Sequence, residues 1–419
     1  MRFKASTALF LLVGLPLMAA SMQEAKPEEV GLSSERLLRI HQAVQRHMDP
    51  HEISGAVTLV ARKGRIVHFE AHGLMDVESK KPMAKDAIFR IWSMSKVVGG
   101  TAILMLMEEG KLRLNDPVSK FIPEFKSMSV AVIPDSRRGP AAPGGPPAAI
   151  EFYTMPATRE ITIQDLLTHV SGLGSGPASA SEMRKIARDP NETLAGYIPK
   201  LGATPLDFQP GSRWSYSAAA GFDTLARVIE VASGQPVDRF LRQRIFDPLG
   251  MKDTFFSPPE ASWPRVASAY HRHGDALQKI ENPNRMVSTT YFGLGGGLMS
   301  TAGDYVQLGA MLAEGGQLNG KRLLSPRTVE LMSSAFVPDT LPGRAPGIGY
   351  GLSVQVVTNP IAAGYHVSPG SFGWDGAYGT HFWVDPKEKI VGVMMIQTDN
   401  SDRQLDRDFE SAVMQAIVE

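Results

Sequence analysis

From Val97 to Met107 the chain is apolar on nearly every side of a helix: Val97, Val98, Ala102, Ile103, Leu104, Met105 and Leu106 leave no polar face. Such a helix belongs inside a fold, with neighbours all round it. At its head stands Phe89-Arg90-Ile91-Trp92-Ser93-Met94-Ser95-Lys96, which holds the one Ser-x-x-Lys of the sequence. Positions three apart share a helix face, so Lys96 is expected directly over the Ser93 hydroxyl. A serine hydroxyl is a weak nucleophile until a base takes its proton. A lysine serves as that base only when it is often neutral, a state that burial in an apolar helix favours by lowering its pKa. The start of the helix also offers free N–H groups and a positive dipole end beside Ser93. The plainer reading of the same residues is a capping serine followed by a surface lysine. The pair alone is a weak signal, and two motifs further along weigh against that reading.

Composition narrows the field. The 419 residues, 43% hydrophobic and 21% charged, suit one large domain or two moderate ones. A formal charge of +0 without long basic or acidic runs gives nucleic acid no footing. There is no cysteine, hence no disulfide framework, thiolate metal site or lipoprotein attachment point. The histidines show no His-Glu-x-x-His or similar spacing, and His41, His47 and His51 straddle a helix end marked by Pro50. Neither a metal nor another cofactor is expected. Arg2 and Lys4 precede an apolar run from Ala8 to Leu17 and then Ala19, Ala20 and Ser21. That is the order of a secretory signal peptide over residues 1–21, with an apolar core too short for a permanent membrane span. The expectation is an exported enzyme, periplasmic or secreted.

Along the rest of the chain, Ser33 or Ser34 caps a helix through Leu37, Ile40 and Val44. Gly55 to Arg62 and Arg65 to Ala71 read as strands joined at Lys63-Gly64. Pro134 to Ala149 reads as a surface excursion rich in Pro, Gly and Ala. Thr162 to Asp165 resembles a capping box opening a short helix that Gly172 closes, and His169 within it is read as structural. Helical patterns follow over Ala218 to Ala232, Val237 to Phe246 and Tyr305 to Leu312. The glycine run Gly293 to Leu298 lacks a phosphate-binding continuation and reads as backbone crowded against a site. Tyr350 to Val357, Tyr378 to Val384 and Ile390 to Thr398 are strand-like, and an amphipathic helix, about Asp402 to Val418, closes the chain. Strands near both ends and helices between predict an α+β fold, one sheet built from both termini with a helical domain inserted. The expected division is 22–112 with 291–419 for the sheet domain and 113–290 for the mainly helical one.

The second motif is Pro210-Gly211-Ser212-Arg213-Trp214-Ser215-Tyr216-Ser217-Ala218-Ala219, with Tyr216 at a loop-to-helix junction. A phenol there relays a proton to a leaving group if cationic neighbours such as Lys96 lower its pKa. The alternative is a buried anchoring tyrosine beside Trp214. The third motif, Phe372-Gly373-Trp374-Asp375-Gly376-Ala377-Tyr378-Gly379-Thr380, is placed directly before a strand. Its glycines let the backbone close to a ligand, and an N–H just after Gly376 is positioned as a second oxyanion donor. The alternative is a glycine-bulged edge strand.

Ser93-x-x-Lys96, Tyr216-Ser217-x and Trp374-x-Gly376, in that order, resemble the serine β-lactamase and penicillin-binding-protein superfamily. Within it they look most like class C β-lactamases and family VIII carboxylesterases. Thr162 to Leu173, Phe246 to Thr254 and Gly295 to Tyr305 are similar to stretches common in these proteins. The resemblance implies an antiparallel sheet flanked by N- and C-terminal helices, with a helical domain beside it and the site in the cleft between them. It implies that Ser93 is acylated while Lys96 and Tyr216 share its proton. Tyr216 then protonates the leaving group and activates the hydrolytic water, with the oxyanion between the N–H groups of Ser93 and Ala377. Trp374, Gly376 and Ala377 are the expected substrate-binding positions.

Two departures bear on the substrate. Class C β-lactamases usually read Tyr-x-Asn and Lys-Thr-Gly, whereas Ala218 and Trp374 stand here for the Asn and the Lys. Both changes weaken recognition of a peptide or β-lactam and leave the nucleophile intact. The sequence also lacks Gly-x-Ser-x-Gly, which removes an α/β-hydrolase elbow as a source of esterase activity. The reading is a carboxylesterase on small or medium acyl esters. Its alternatives are a β-lactamase or D-alanyl-D-alanine peptidase, or a non-catalytic cell-wall binding or sensor protein. The partner is a small-molecule ester or amide, with no nucleic acid.

Overall fold

A computed structural model describes residues 22–134, 151–186, 188–280, 288–399, 401 and 403–419. The expected signal segment, and all of the Pro134 to Ala149 excursion after Pro134, lie outside the described residues. Helix α1 (Ser34–Met48) starts where the Ser33 side chain accepts from the Arg36 N–H, and it buries Leu37, Ile40, Ala43 and Val44. It leads into the expected hairpin of β1 (Gly55–Arg62) and β2 (Arg65–Asp76), the second strand running five residues beyond Ala71. β3 (Lys81–Pro82) continues that edge. The apolar helix α2 (Ser95–Glu108) follows, buried from Ser95 to Leu106. Helices α3 (Ala220–Ser233) and α4 (Ala302–Ala313) come later, the first ended by Gly234 at φ 73° and the second capped by Thr301.

The C-terminal part supplies β4 (Ile348–Tyr350), β5 (Gln355–Val357), β6 (Phe372–Asp375), β7 (His381–Asp385), β8 (Ile390–Met395) and helix α5 (Gln404–Met414). These strands join the N-terminal ones in one antiparallel sheet of eight, ordered β4-β5-β6-β7-β8-β1-β2-β3. The junction between the two chain ends is β1 against β8, where Leu59 faces Val393 and Val57 faces Met395. One sheet from both termini is therefore observed.

Every residue of β1 is buried because both sheet faces are covered. Ala56 and Val60 turn toward the terminal helices, packing with Ile40, Val44, Phe409 and Val413. Val57 and Leu59 turn the other way, into the larger core with α2, α3 and α4. Alternation along a strand puts neighbours on opposite faces, so one eight-residue run serves two cores. Gly309 lets α4 sit directly on the sheet: a Cβ there would lie 2.4 Å from Val391 Cγ1.

Three strand expectations change. Tyr350 to Val357 is not one strand but the hairpin β4–β5, turned at Gly351–Val354 with Ser353 at φ 72°. The strand expected over Tyr378 to Val384 begins only at His381; the Trp374 motif directly precedes it, as expected, but its first part, Phe372–Asp375, is itself β6, and the turn between them holds Gly379 at φ 87°. Ile390 to Thr398 breaks after Met395, and Thr398–Asp399 pairs instead with Tyr270–His273. Among the helices, Val237–Leu241 runs into a π-turn over Arg242–Phe246, and the capping-box helix ends at Leu167. Among the described residues, no helix is long and apolar enough to cross a membrane.

Candidate active site

Ser93 sits in a single 3-10 turn, Trp92–Met94, immediately before α2. Trp92 holds φ 45°, an uncommon conformation for a bulky residue that marks a tightly shaped turn. Two contacts fix the segment from below. A short ladder pairs Phe89–Arg90 with Met299–Ser300, and the Ser95 hydroxyl accepts from the Leu298 N–H at 3.1 Å. The Ser93 segment and the glycine run are thereby bound together.

Lys96 is completely buried, and its Nζ lies 3.1 Å from Ser93 Oγ, as the spacing predicts. It also donates to the carbonyls of Ala218 at 2.7 Å and Gly295 at 2.5 Å. Burial draws its pKa down to about 7, against the opposing pull of the Asp223 charge. A neutral amine here gives both its protons to the two carbonyls and keeps its lone pair for the Ser93 proton. The capping-serine alternative is set aside by this burial.

The Tyr216 hydroxyl is 2.6 Å from Ser93 Oγ. Its pKa is raised by burial, with the Ser93 hydrogen bond pulling the other way. Lys96, 5.0 Å from the ring centroid, does not turn it into a phenolate, because a lysine kept half neutral by burial is a poor cationic neighbour. The expected lowering of the Tyr216 pKa is thus corrected: this tyrosine is a neutral proton donor at rest. The Trp374 indole N–H also favours the phenolate form weakly, without completing a hydrogen bond in the resting geometry. His169 anchors the tyrosine loop, its Nδ1 accepting from the Ser217 N–H at 3.2 Å and its carbonyl from the Ser215 N–H. Burial holds its pKa well below the usual histidine value.

Gly376 presses the third motif against the segment that carries Ser93. A Cβ there would lie 2.0 Å from Thr380 Oγ1 and 2.5 Å from the Ile91 carbonyl oxygen. Ala377 thereby lines the same cleft as Ser93, a space of about 460 Å³ shared with Tyr216, Ala218, Phe256, Tyr291 and Arg188. Trp374 meets that cleft only through Tyr216, whose ring is 5.5 Å away. It also borders a separate cavity, of about 260 Å³, toward Arg403 and Glu410. Ala218 contributes its carbonyl to Lys96, a role its side chain does not disclose.

Several residues escaped the sequence reading. Asp223 is buried beneath the glycine run, accepting from the Gly295 N–H at 2.8 Å and the Tyr291 hydroxyl at 2.9 Å. Burial raises its pKa while these donors lower it. It fixes the Gly295 carbonyl that Lys96 uses. A carboxylate seven residues after Tyr216, in the first turn of α3 and flanked by small and apolar residues, was the available signal. Arg188, its guanidinium 4.4 Å from the Tyr291 ring centroid, had none. On β6, Asp375 is paired with His381 at 2.6 Å and Arg403 at 2.8 Å, tying the motif to α5. Burial alone would raise the Asp375 pKa, but these two cationic partners bring it down to about 2.

Comparison with known proteins agrees with this geometry. The family model described as Beta-lactamase matches residues 40–415. Protein Rv1367c of Mycobacterium tuberculosis is 34% identical over 373 residues, spanning 85% of this chain and 88% of that protein. Esterase EstB of Burkholderia gladioli is 29% identical over 391 residues, 87% of this chain and 90% of its own. Among solved structures, EstCE1, described as a hydrolase with promiscuous acyltransferase activity, superimposes with a TM-score of 0.76 at 27% identity. That match covers 91% of this chain and 99% of that one. A serine and a buried lysine in hydrogen-bonding reach, beside a sheet built from both ends of the chain, find their place here: the chain belongs to the beta-lactamase family and is a serine hydrolase.

Proposed function

We propose that this hydrolase is a carboxylesterase acting on small or medium acyl esters through a Ser93 acyl-enzyme. The carrying observation is chemical. Where class C β-lactamases place a lysine, the strand beside Tyr216 carries the neutral indole of Trp374, and Ala218 offers no side-chain amide. A neutral ester needs neither group, whereas a β-lactam or D-alanyl peptide brings a carboxylate that seeks a cation or several donors. The esterase and hydrolase descriptions of EstB and EstCE1 support the same reading.

In this mechanism Lys96 takes the Ser93 proton as Oγ attacks the ester carbonyl. The N–H groups of Ser93 and Ala377 receive the oxyanion. Tyr216 donates its proton to the departing alkoxide and is reprotonated through Lys96. Water then enters, gives a proton back along the same path, and releases the acid. Export, and a helical unit over 113–290 set against a sheet unit, complete the proposal.

Rates on a p-nitrophenyl ester series beside a chromogenic cephalosporin test it, with Ser93→Ala as the control for background hydrolysis. The ester kcat/KM is expected to be higher by about a hundredfold or more, roughly 2.7 kcal/mol of transition-state discrimination. A cephalosporin hydrolysed faster than every ester tried overturns the esterase assignment and leaves the serine hydrolase standing.

A further inference from the structure

On the sheet face away from α2, three side chains from two elements converge. Glu70 and His72 alternate on β2 and so share a face, and His41 reaches down from α1. His41 Nδ1 is 2.7 Å from Glu70 Oε1, and His72 Nδ1 is 3.7 Å from the same oxygen. All three donor atoms lie within 4.8 Å of one another. We propose that His41, Glu70 and His72 bind a divalent transition-metal ion of the zinc class.

Geometry and donor type agree. Zinc bonds of about 2.0–2.2 Å to histidine nitrogen and carboxylate oxygen place neighbouring donors about 3.4 Å apart on a tetrahedron. The two separations to Glu70 bracket that value, so rotation of exposed side chains closes the site without moving backbone. His41 and Glu70 are the exposed members, with side chains 53% and 38% accessible, and they leave a path for the ion and a fourth position for water. Two imidazoles and one carboxylate are the borderline donors zinc prefers over magnesium or calcium.

His72 supplies an independent observation. Its side chain is fully buried, yet Nδ1 has no hydrogen-bond partner. Its other nitrogen, Nε2, lies 2.9 Å from Thr58 Oγ1, and His68 Nε2 lies 2.8 Å from the same hydroxyl. The hydroxyl has one proton, so at most one imidazole accepts it and at least one donates to the oxygen. With His72 as the donor, its Nδ1 lone pair points at the Glu70 carboxylate, two electron-rich groups facing each other. A cation between them satisfies both, and Thr58 then orients the ligand from behind, as partners of metal-bound histidines do.

The test is calorimetric titration of the whole protein with zinc chloride, read alongside thermal melting. One equivalent is expected to bind, and saturating zinc to raise Tm, because an ion held only by the folded state stabilises it. His41→Ala and Glu70→Gln, both at exposed positions, are each expected to weaken binding by about tenfold or more. Ser93→Ala, on the opposite face, is expected to bind as wild type, which separates this site from the hydrolytic one. Melting of the zinc-free variants verifies that they fold. Absence of binding up to millimolar zinc overturns the proposal, as does wild-type affinity in either His41→Ala or Glu70→Gln.

Discussion

At the scale of single residues, the site depends on one lysine being neutral. Burial brings Lys96 to about 7 from an ordinary value of 10.5, whereas Tyr216 moves up. In the proposed mechanism the base that accepts the Ser93 proton is therefore the lysine, and the active form is the deprotonated one. Ester kcat/KM is expected to rise about tenfold per pH unit below 7 and to level off above it. A pH–rate profile measures this, and an inflection near 10 would assign the titration to the tyrosine instead. Ser93, Lys96 and Tyr216 were all legible, because a fixed spacing and a chain order disclose them. Asp223 and the Gly295 carbonyl were not, since a buried carboxylate and a backbone oxygen bear on Lys96 only once α3 and the glycine run are folded together.

Elements came through where their signal was local. α1, α2 and the β1–β2 hairpin follow from caps, periodicity and one tight turn. The C-terminal strands were harder: Tyr350 to Val357 alternates apolar residues with Gly351, Ser353 and Gln355 as a single strand would, and the left-handed Ser353 turns it into a hairpin. β6 is read from the sequence only as an alternative, a glycine-bulged edge strand, because Gly373 lowers strand propensity; pairing to both β5 and β7 overrides that weakness and makes it a central strand. The turn after β6 shows why its glycine is needed. At Gly376 a side chain meets two fixed obstacles, the Ile91 carbonyl and the Thr380 side chain. Gly376→Ala is expected to push Ala377 away from Ser93 and to lower kcat by about two orders of magnitude, the cost of a misplaced oxyanion donor. Tm is expected to change far less, because the displaced turn lies at the cleft. A variant with full kcat would mean that Ala377 does not hold the oxyanion.

Among the described residues, the large sheet carries two unequal cores, one on each face. The terminal helices cover one face, and the face carrying α2, α3 and α4 holds Ser93, Lys96 and Tyr216, the groups of the proposed mechanism. That division separates stability from chemistry. Ile40, fully buried under α1, touches no residue of the Ser93 cleft, so Ile40→Ala is expected to cost about 2–5 kcal/mol of stability by opening a cavity. At temperatures below its lowered Tm, its pH–rate profile should match the wild type. Phe222 is equally buried but lies on the other face, its ring centroid 5.6 Å from Lys96 Nζ. Phe222→Ala, at about 3–5 kcal/mol, removes a comparable amount of packing. It also removes the apolar wall that keeps water from the amine. Hydration favours the ammonium form, so the inflection of the pH–rate profile is expected to move upward from about 7 toward the ordinary lysine value. At pH 7 the variant is then slower, and it recovers rate at higher pH. Thermal melts and pH profiles of the two variants decide the matter: similar losses of Tm with an unmoved inflection in Phe222→Ala would show that Lys96 owes its low pKa to something other than the core around it.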